Sequence, residues 1–84
     1  MRVDKYLKVA RIVKRRTVAN EMAAAGRVSV NGRKAKPSTE IAVGDIIEIG
    51  FGERQTRIKV IDIRPAVKKE EAGQLYELLN REKG

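Results

Sequence analysis

The sequence predicts an α+β fold, with short N-terminal helices laid on a small sheet and a further helix at the C-terminus. Three observations carry this. Apolar residues recur at helical spacing before residue 26 and again after residue 67. Between these stretches, Asn31-Gly32 and two β-branched runs mark a hairpin and further strands. The 84 residues suit one small domain near the lower limit for a self-sufficient core. We divide it into a core over 1–64 and a C-terminal helix over 65–84.

Residues 3–10 read as the first helix, with Val3, Tyr6, Leu7 and Ala10 on one face. Asp4 and Lys8 form an i, i+4 pair on the other, and Asp4 is also placed to hold a nearby arginine. Ile12 would fall on the polar side, so a break is expected near Arg11. Thr17 is the expected N-cap of the second helix, because its hydroxyl can accept a bond from a first-turn N–H. Val18, Met22 and Ala25 share one face of that helix, and Gly26 ends it.

Asn31-Gly32 predicts a two-residue type I′ turn, since both central residues need positive φ. That register sets Val30 opposite Arg33, Ser29 opposite Lys34, Val28 opposite Ala35 and Arg27 opposite Lys36. Val28, Val30 and Ala35 then share one face, while Arg27, Ser29, Lys34 and Lys36 share the other. Val43-Gly44-Asp45 turns into a buried strand over 46–49, and 50–55 reads as a loop that Phe51 could shorten. Residues 57–63 alternate but change phase near Ile61, where pairing should end. After Pro65, Ala72, Leu75, Tyr76 and Leu79 fall at helical spacing, predicting a helix over 68–83 that Gly73 weakens.

Net charge is +8, and its distribution says more than its total. Residues 1–36 hold eleven Lys/Arg and two Asp/Glu, whereas the remainder is close to neutral. Such a one-sided excess is the footprint of a nucleic-acid face. Like charges facing each other destabilise a sheet, so Arg27 against Lys36 asks for an external anion. Arg15 and Arg16 stand before a helix N-terminus, where the dipole disfavours cations but a phosphate would satisfy them and the free N–H groups together. Lys8 and Arg11 on the first helix and Lys14 in the link add to the same charge. The bland alternative, a solvated basic surface, leaves two separate like-charge clusters unexplained.

Cysteine and histidine are both absent, which removes disulfides, thiolate metal sites and the commonest general base. No metal or cofactor is expected. Asp4 and Glu21 are the only carboxylates in the basic part, and each is more simply a charge partner than a general acid, so we do not expect an enzyme. No apolar run approaches the roughly 18 residues of a membrane span, so a cytoplasmic protein without a membrane partner is expected. A DNA-binding regulator is a competing reading, but the second helix is alanine-rich and offers few side chains to read base edges. With one Phe and two Tyr, base stacking on the sheet is disfavoured, which leaves recognition of structured RNA by shape and phosphate.

Four blocks carry a resemblance: Arg2-Val3-Asp4-Lys5-Tyr6-Leu7, Arg16-Thr17-Val18-Ala19, Gly26 to Gly32 (GRVSVNG), and Val43-Gly44-Asp45. In order and spacing they resemble the S4 RNA-binding domain family. The resemblance implies an S4-like (alpha-L) fold, with short helices on a small, mostly antiparallel sheet. By position, Arg2, Lys5, Arg16, Thr17 and Asn31 match residues that shape or line the family's RNA surface, with Asp4 as orienting partner. With the charge reading, the candidate RNA-binding set is Arg2, Lys5, Lys8, Arg11, Lys14, Arg15, Arg16, Thr17, Arg27, Asn31, Lys34 and Lys36. Length, opening residues and the lysine–glutamate stretch after residue 67 are most similar to the family's stand-alone ribosome quality-control members. That likeness implies a monomer on the obstructed large ribosomal subunit, touching large-subunit rRNA and peptidyl-tRNA and supporting the alanine tailing carried out by RqcH. Family members induced by heat shock, which also bind stalled large subunits, are the close alternative.

Overall fold

The computed structural model describes residues 1–80. Helix α1 (Val3–Val9) turns Val3, Tyr6 and Leu7 fully inward. The loop following the hairpin covers its N-terminus: Val3 N–H donates to the Thr39 carbonyl at 2.8 Å and Asp4 N–H to that of Pro37 at 3.4 Å. Helix α2 (Arg16–Ala24) follows a link that breaks at Arg11, as the sequence predicts.

Two expectations for α2 are corrected. Arg15, not Thr17, occupies the cap position, extended at φ −131 and ψ 142 and without a side-chain cap bond. The buried face is Ala19 and Ala23, while Val18 and Ala25 are exposed and Met22 is half-buried. Small residues let α2 lie close against α1. That packing sets where the helix runs, and a hydroxyl cap worth roughly 1 kcal/mol does not override it.

Strands β1 (Val28–Val30) and β2 (Arg33–Lys34) form the predicted hairpin, with Ser29 opposite Lys34 and Val30 opposite Arg33. Asn31 and Gly32 have φ +53 and +83, as a type I′ turn requires. The ladder does not reach Arg27 and Lys36. Arg27 N–H donates instead to the Met22 carbonyl at 2.9 Å, closing the end of α2. Strand β3 (Ile46–Phe51) is joined to β4 (Arg54–Val60) by a tight turn at Gly52-Glu53, with Phe51 opposite Arg54. The expected loop over 50–55 is therefore mostly hairpin. Gly52, at φ +64 in the first central position, is the turn signal that the neighbouring charges obscure. Pairing ends at Val60, close to the phase change read in the sequence.

The C-terminal helix is the larger correction. Lys69–Gln74 is a 3₁₀ helix and Tyr76–Leu78 is a strand, β5, antiparallel to β4; the expected helix's last residues lie outside the described ones. The open edge of β4 offers backbone partners that a helix interrupted by Gly73 cannot match. Leu75 is fully buried, and its carbonyl accepts from the Tyr6 hydroxyl at 2.7 Å and from the N–H groups of Ile61 and Asp62. The result is one antiparallel sheet in the order β2-β1-β3-β4-β5. Its inner face, with Val28, Ile47, Ile49, Ile58 and Val60, packs under the two helices.

Candidate nucleic-acid interface

Asp4 is the one buried charged side chain among the described residues, at 1% exposure. The first turn of α1 places it against α2. Its Oδ1 accepts the Lys5 N–H at 2.7 Å and lies 3.5 Å from Arg16 Nη2. Its Oδ2 accepts from Arg2 Nη2 at 3.1 Å and from Asn20 Nδ2 at 3.5 Å. Burial pushes the carboxyl pKa up, but the bonds from Asn20 and Lys5 and the charges of Arg16 and Arg2 outweigh it and hold the pKa below its ordinary value. The expected pairing with Lys8 is replaced by these partners.

Both arginines remain about half exposed, with side chains 43% and 47% accessible for Arg2 and Arg16. Each is tethered to Asp4 and open to solvent. Together with Thr17, Asn20 and Glu21 they line a crevice of ≈ 400 Å³. The N–H groups of Arg16 and Thr17, at the start of α2, meet no acceptor among the described residues. A helix start without a cap, next to two oriented guanidinium groups, has the chemistry of a phosphate site.

The hairpin carries a second group. Arg27 and Lys34 are exposed, and the Lys34 ammonium lies near Gly26 at the C-terminus of α2, where a cation is favoured. Asn31 serves the fold: its Nδ2 donates to Asp45 Oδ1 at 3.1 Å and its Oδ1 accepts from the Ile46 N–H at 2.9 Å. These bonds pin the turn to the start of β3. Lys36 is also exposed, and its N–H donates to Thr39 Oγ1 at 2.8 Å.

The predicted residues thus fall into separate groups. Arg2, Arg16 and Thr17 gather around Asp4, whereas Lys8, Arg11 and Lys14 line a different cleft. Arg15 is exposed and Lys5 is half-buried. Sequence reasoning missed Asn20, whose signal is a poor helix former in the middle of a helix. It also missed Lys69, which reaches the second cleft from a segment read as a separate helix. Among the described residues no three His, Cys, Asp or Glu side chains gather as a metal site, and no helix is long and apolar enough to cross a membrane.

A sheet with helices on one face and a basic surface built on those helices and the hairpin defines an RNA-binding class of domain. The chain belongs to the S4 domain family, whose family model matches residues 1–47. Over nearly its whole length it is also similar to bacterial proteins named RQC P-site tRNA stabilizing factor. It is 51% identical to the one from Streptococcus pneumoniae over 80 residues, covering 95% of this chain and 91% of the relative. It is 45% identical to the one from Bacillus subtilis over 83 residues, covering 99% and 96%. Among solved structures, the trimeric structure of Vibrio cholerae Heat Shock Protein 15 superposes with a TM-score of 0.87 at 35% identity, covering 94% of this chain and 81% of that one.

Proposed function

We propose that this chain binds RNA on obstructed large ribosomal subunits, where it holds peptidyl-tRNA against large-subunit rRNA and supports RqcH-dependent C-terminal alanine tailing. The name of its relatives supports the tRNA and quality-control parts of this reading. The observation that carries it is the Asp4 tether, which aims Arg2 and Arg16 outward beside the uncapped start of α2. A phosphate there accepts from both guanidinium groups and from the free N–H groups of α2. Arg15, Thr17 and Lys5 flank that contact; Arg27, Lys34 and Lys36 make a second one on the hairpin, which Asn31 positions. At these two contacts recognition is of backbone and shape, as a surface short of exposed aromatic rings implies. The protein works as a monomer in the cytoplasm.

Sequencing RNA crosslinked to the protein in cells tests this reading. Large-subunit rRNA recovered together with tRNA is the expected result, and recovery of messenger or chromosomal fragments contradicts it. The similarity to Heat Shock Protein 15 supports a second reading, in which the protein recycles stalled subunits without tailing. Loss of alanine tails when the protein is deleted favours the first reading, and persistence of tails favours the second.

A further inference from the structure

The end of α1 and the end of α2 are built alike. At α2, Gly26 N–H donates to the Ala23 carbonyl at 3.0 Å and Arg27 N–H to that of Met22 at 2.9 Å, with Gly26 at φ +78. At α1, Arg11 N–H donates to the Lys8 carbonyl at 3.0 Å and Ile12 N–H to that of Leu7 at 3.0 Å, with Arg11 at φ +58. The left-handed position in this helix-ending motif favours glycine, because any β-carbon there is crowded. One helix uses glycine and the other an arginine. The dipole of α1 does not account for this, since Lys8 already supplies a cation in its last turn. A strained position held by a long polar side chain points to what that side chain does.

Arg11 lines a cleft of ≈ 510 Å³ between the link and the segment leading to the 3₁₀ helix. Lys8, Lys14 and Lys69 line it as well, and Pro65 and Val67 give it an apolar wall. Among the described residues none of these four cations pairs with a carboxylate. The nearby Asp62 and Glu71 are engaged by Arg64, at 2.7 and 3.9 Å. Pro65, Val67 and Lys69 also lie beyond residues 1–47, which match the family model, so the cleft is closed by a part of the chain outside that match.

We propose that this cleft is a second RNA site, separate from the Asp4 crevice, that takes an unpaired nucleotide. Its phosphate lies among Lys8, Arg11, Lys14 and Lys69, and its base rests on Pro65 and Val67 under the Arg11 guanidinium plane. Four exposed cations without carboxylate partners among the described residues, converging on one cleft, attract an anion, and an apolar wall beside them suits a flat base better than a second phosphate. Because a paired base cannot turn into a cleft, this site reads single strands, while the Asp4 crevice reads the backbone of paired RNA. The inference rests on the RNA-binding reading above.

Arg11→Gly tests it without the usual confusion with unfolding, since glycine relieves the backbone at φ +58 and should keep or raise the melting temperature. The probes are a labelled single-stranded oligouridine and a fully paired RNA hairpin of equal length. Arg11→Gly and Lys69→Ala should each weaken oligouridine binding about tenfold, the loss of one charge-assisted contact, and leave hairpin binding within about twofold. Arg16→Ala should do the reverse. Equal oligouridine binding by parent and Arg11→Gly overturns the proposal, as does equal weakening on both probes or preferential displacement by polyglutamate. A parent that binds the hairpin and not oligouridine overturns the cleft site alone. A parent that binds neither overturns the RNA-binding reading itself.

Discussion

Arg16 Nη2 lies 3.5 Å from Oδ1 of the buried Asp4, so this arginine is oriented by the fold before any ligand arrives. The Asp4 carboxylate, carried on the first turn of α1, meets α2 at Asn20 and Arg16, and the Arg16 side chain beyond it is half exposed. A cation at the start of a helix, unfavourable for the dipole, is thereby given a folded-state partner.

Removing the tether should loosen the site and the fold together. Asp4→Ala leaves Arg2 and Arg16 without their anchor and should cost about 1–3 kcal/mol of stability. In a domain of this size each kcal/mol lowers the melting temperature by roughly 4–8 °C. Thermal unfolding beside the parent checks it; an unchanged melting temperature would show that the carboxylate is not structural.

The same carboxylate sets an acid limit. Its pKa is held below the ordinary 3.8, so the unfolded chain takes up the proton first as pH falls. The stability it contributes is complete above that ordinary value and is lost as pH drops through the lower folded value. Melting temperature followed into acid should fall more steeply for the parent than for Asp4→Asn. Parallel curves would remove Asp4 from the acid response.

Asn31 and Gly32 should act on stability first. Gly32→Val forces a β-branched residue to φ +83 and should damage folding. Asn31→Gly keeps the turn geometry but loses the bonds to Asp45 and Ile46, costing about 1–2 kcal/mol. RNA affinity of the folded Asn31→Gly protein should stay close to that of the parent. A large affinity loss at unchanged stability would assign Asn31 a direct contact.

Tyr6→Phe should release the C-terminal segment. It deletes the buried 2.7 Å bond to the Leu75 carbonyl, worth about 1 kcal/mol. Hydrogen exchange should speed up over Tyr76–Leu78 before it does over β3. Uniform acceleration along the sheet would contradict a local tie.

The hairpin register was legible because Asn31-Gly32 fixes both turn type and pairing from two adjacent residues. The basic face was legible because charge in the first part of the chain is so one-sided. The partners of that charge were not, since Asn20 meets Asp4 only once α2 has docked. The segment over 69–78 was misread for a related reason. Its spacing at Ala72, Leu75, Tyr76 and Leu79 fits a helix, but the free edge of β4 is a tertiary fact that local periodicity does not contain. That Asp4 would hold a nearby arginine was legible, but that Arg16 as well as Arg2 is the one held depends on how α2 docks.

The most direct test of the central claim compares the parent, Arg16→Ala and Arg16→Lys in binding to purified large ribosomal subunits across a salt series, with melting temperatures recorded alongside. The parent should show a log–log salt slope of several units from counterion release. Arg16→Ala should bind about ten- to a hundredfold more weakly with a slope smaller by about one, while Arg16→Lys recovers part of the loss. Because the Arg16 side chain is half exposed, losing its pair with Asp4 should cost at most about 1 kcal/mol of stability. Parent-like binding by Arg16→Ala, or a loss that appears only where the variant is unfolded, would contradict the phosphate site.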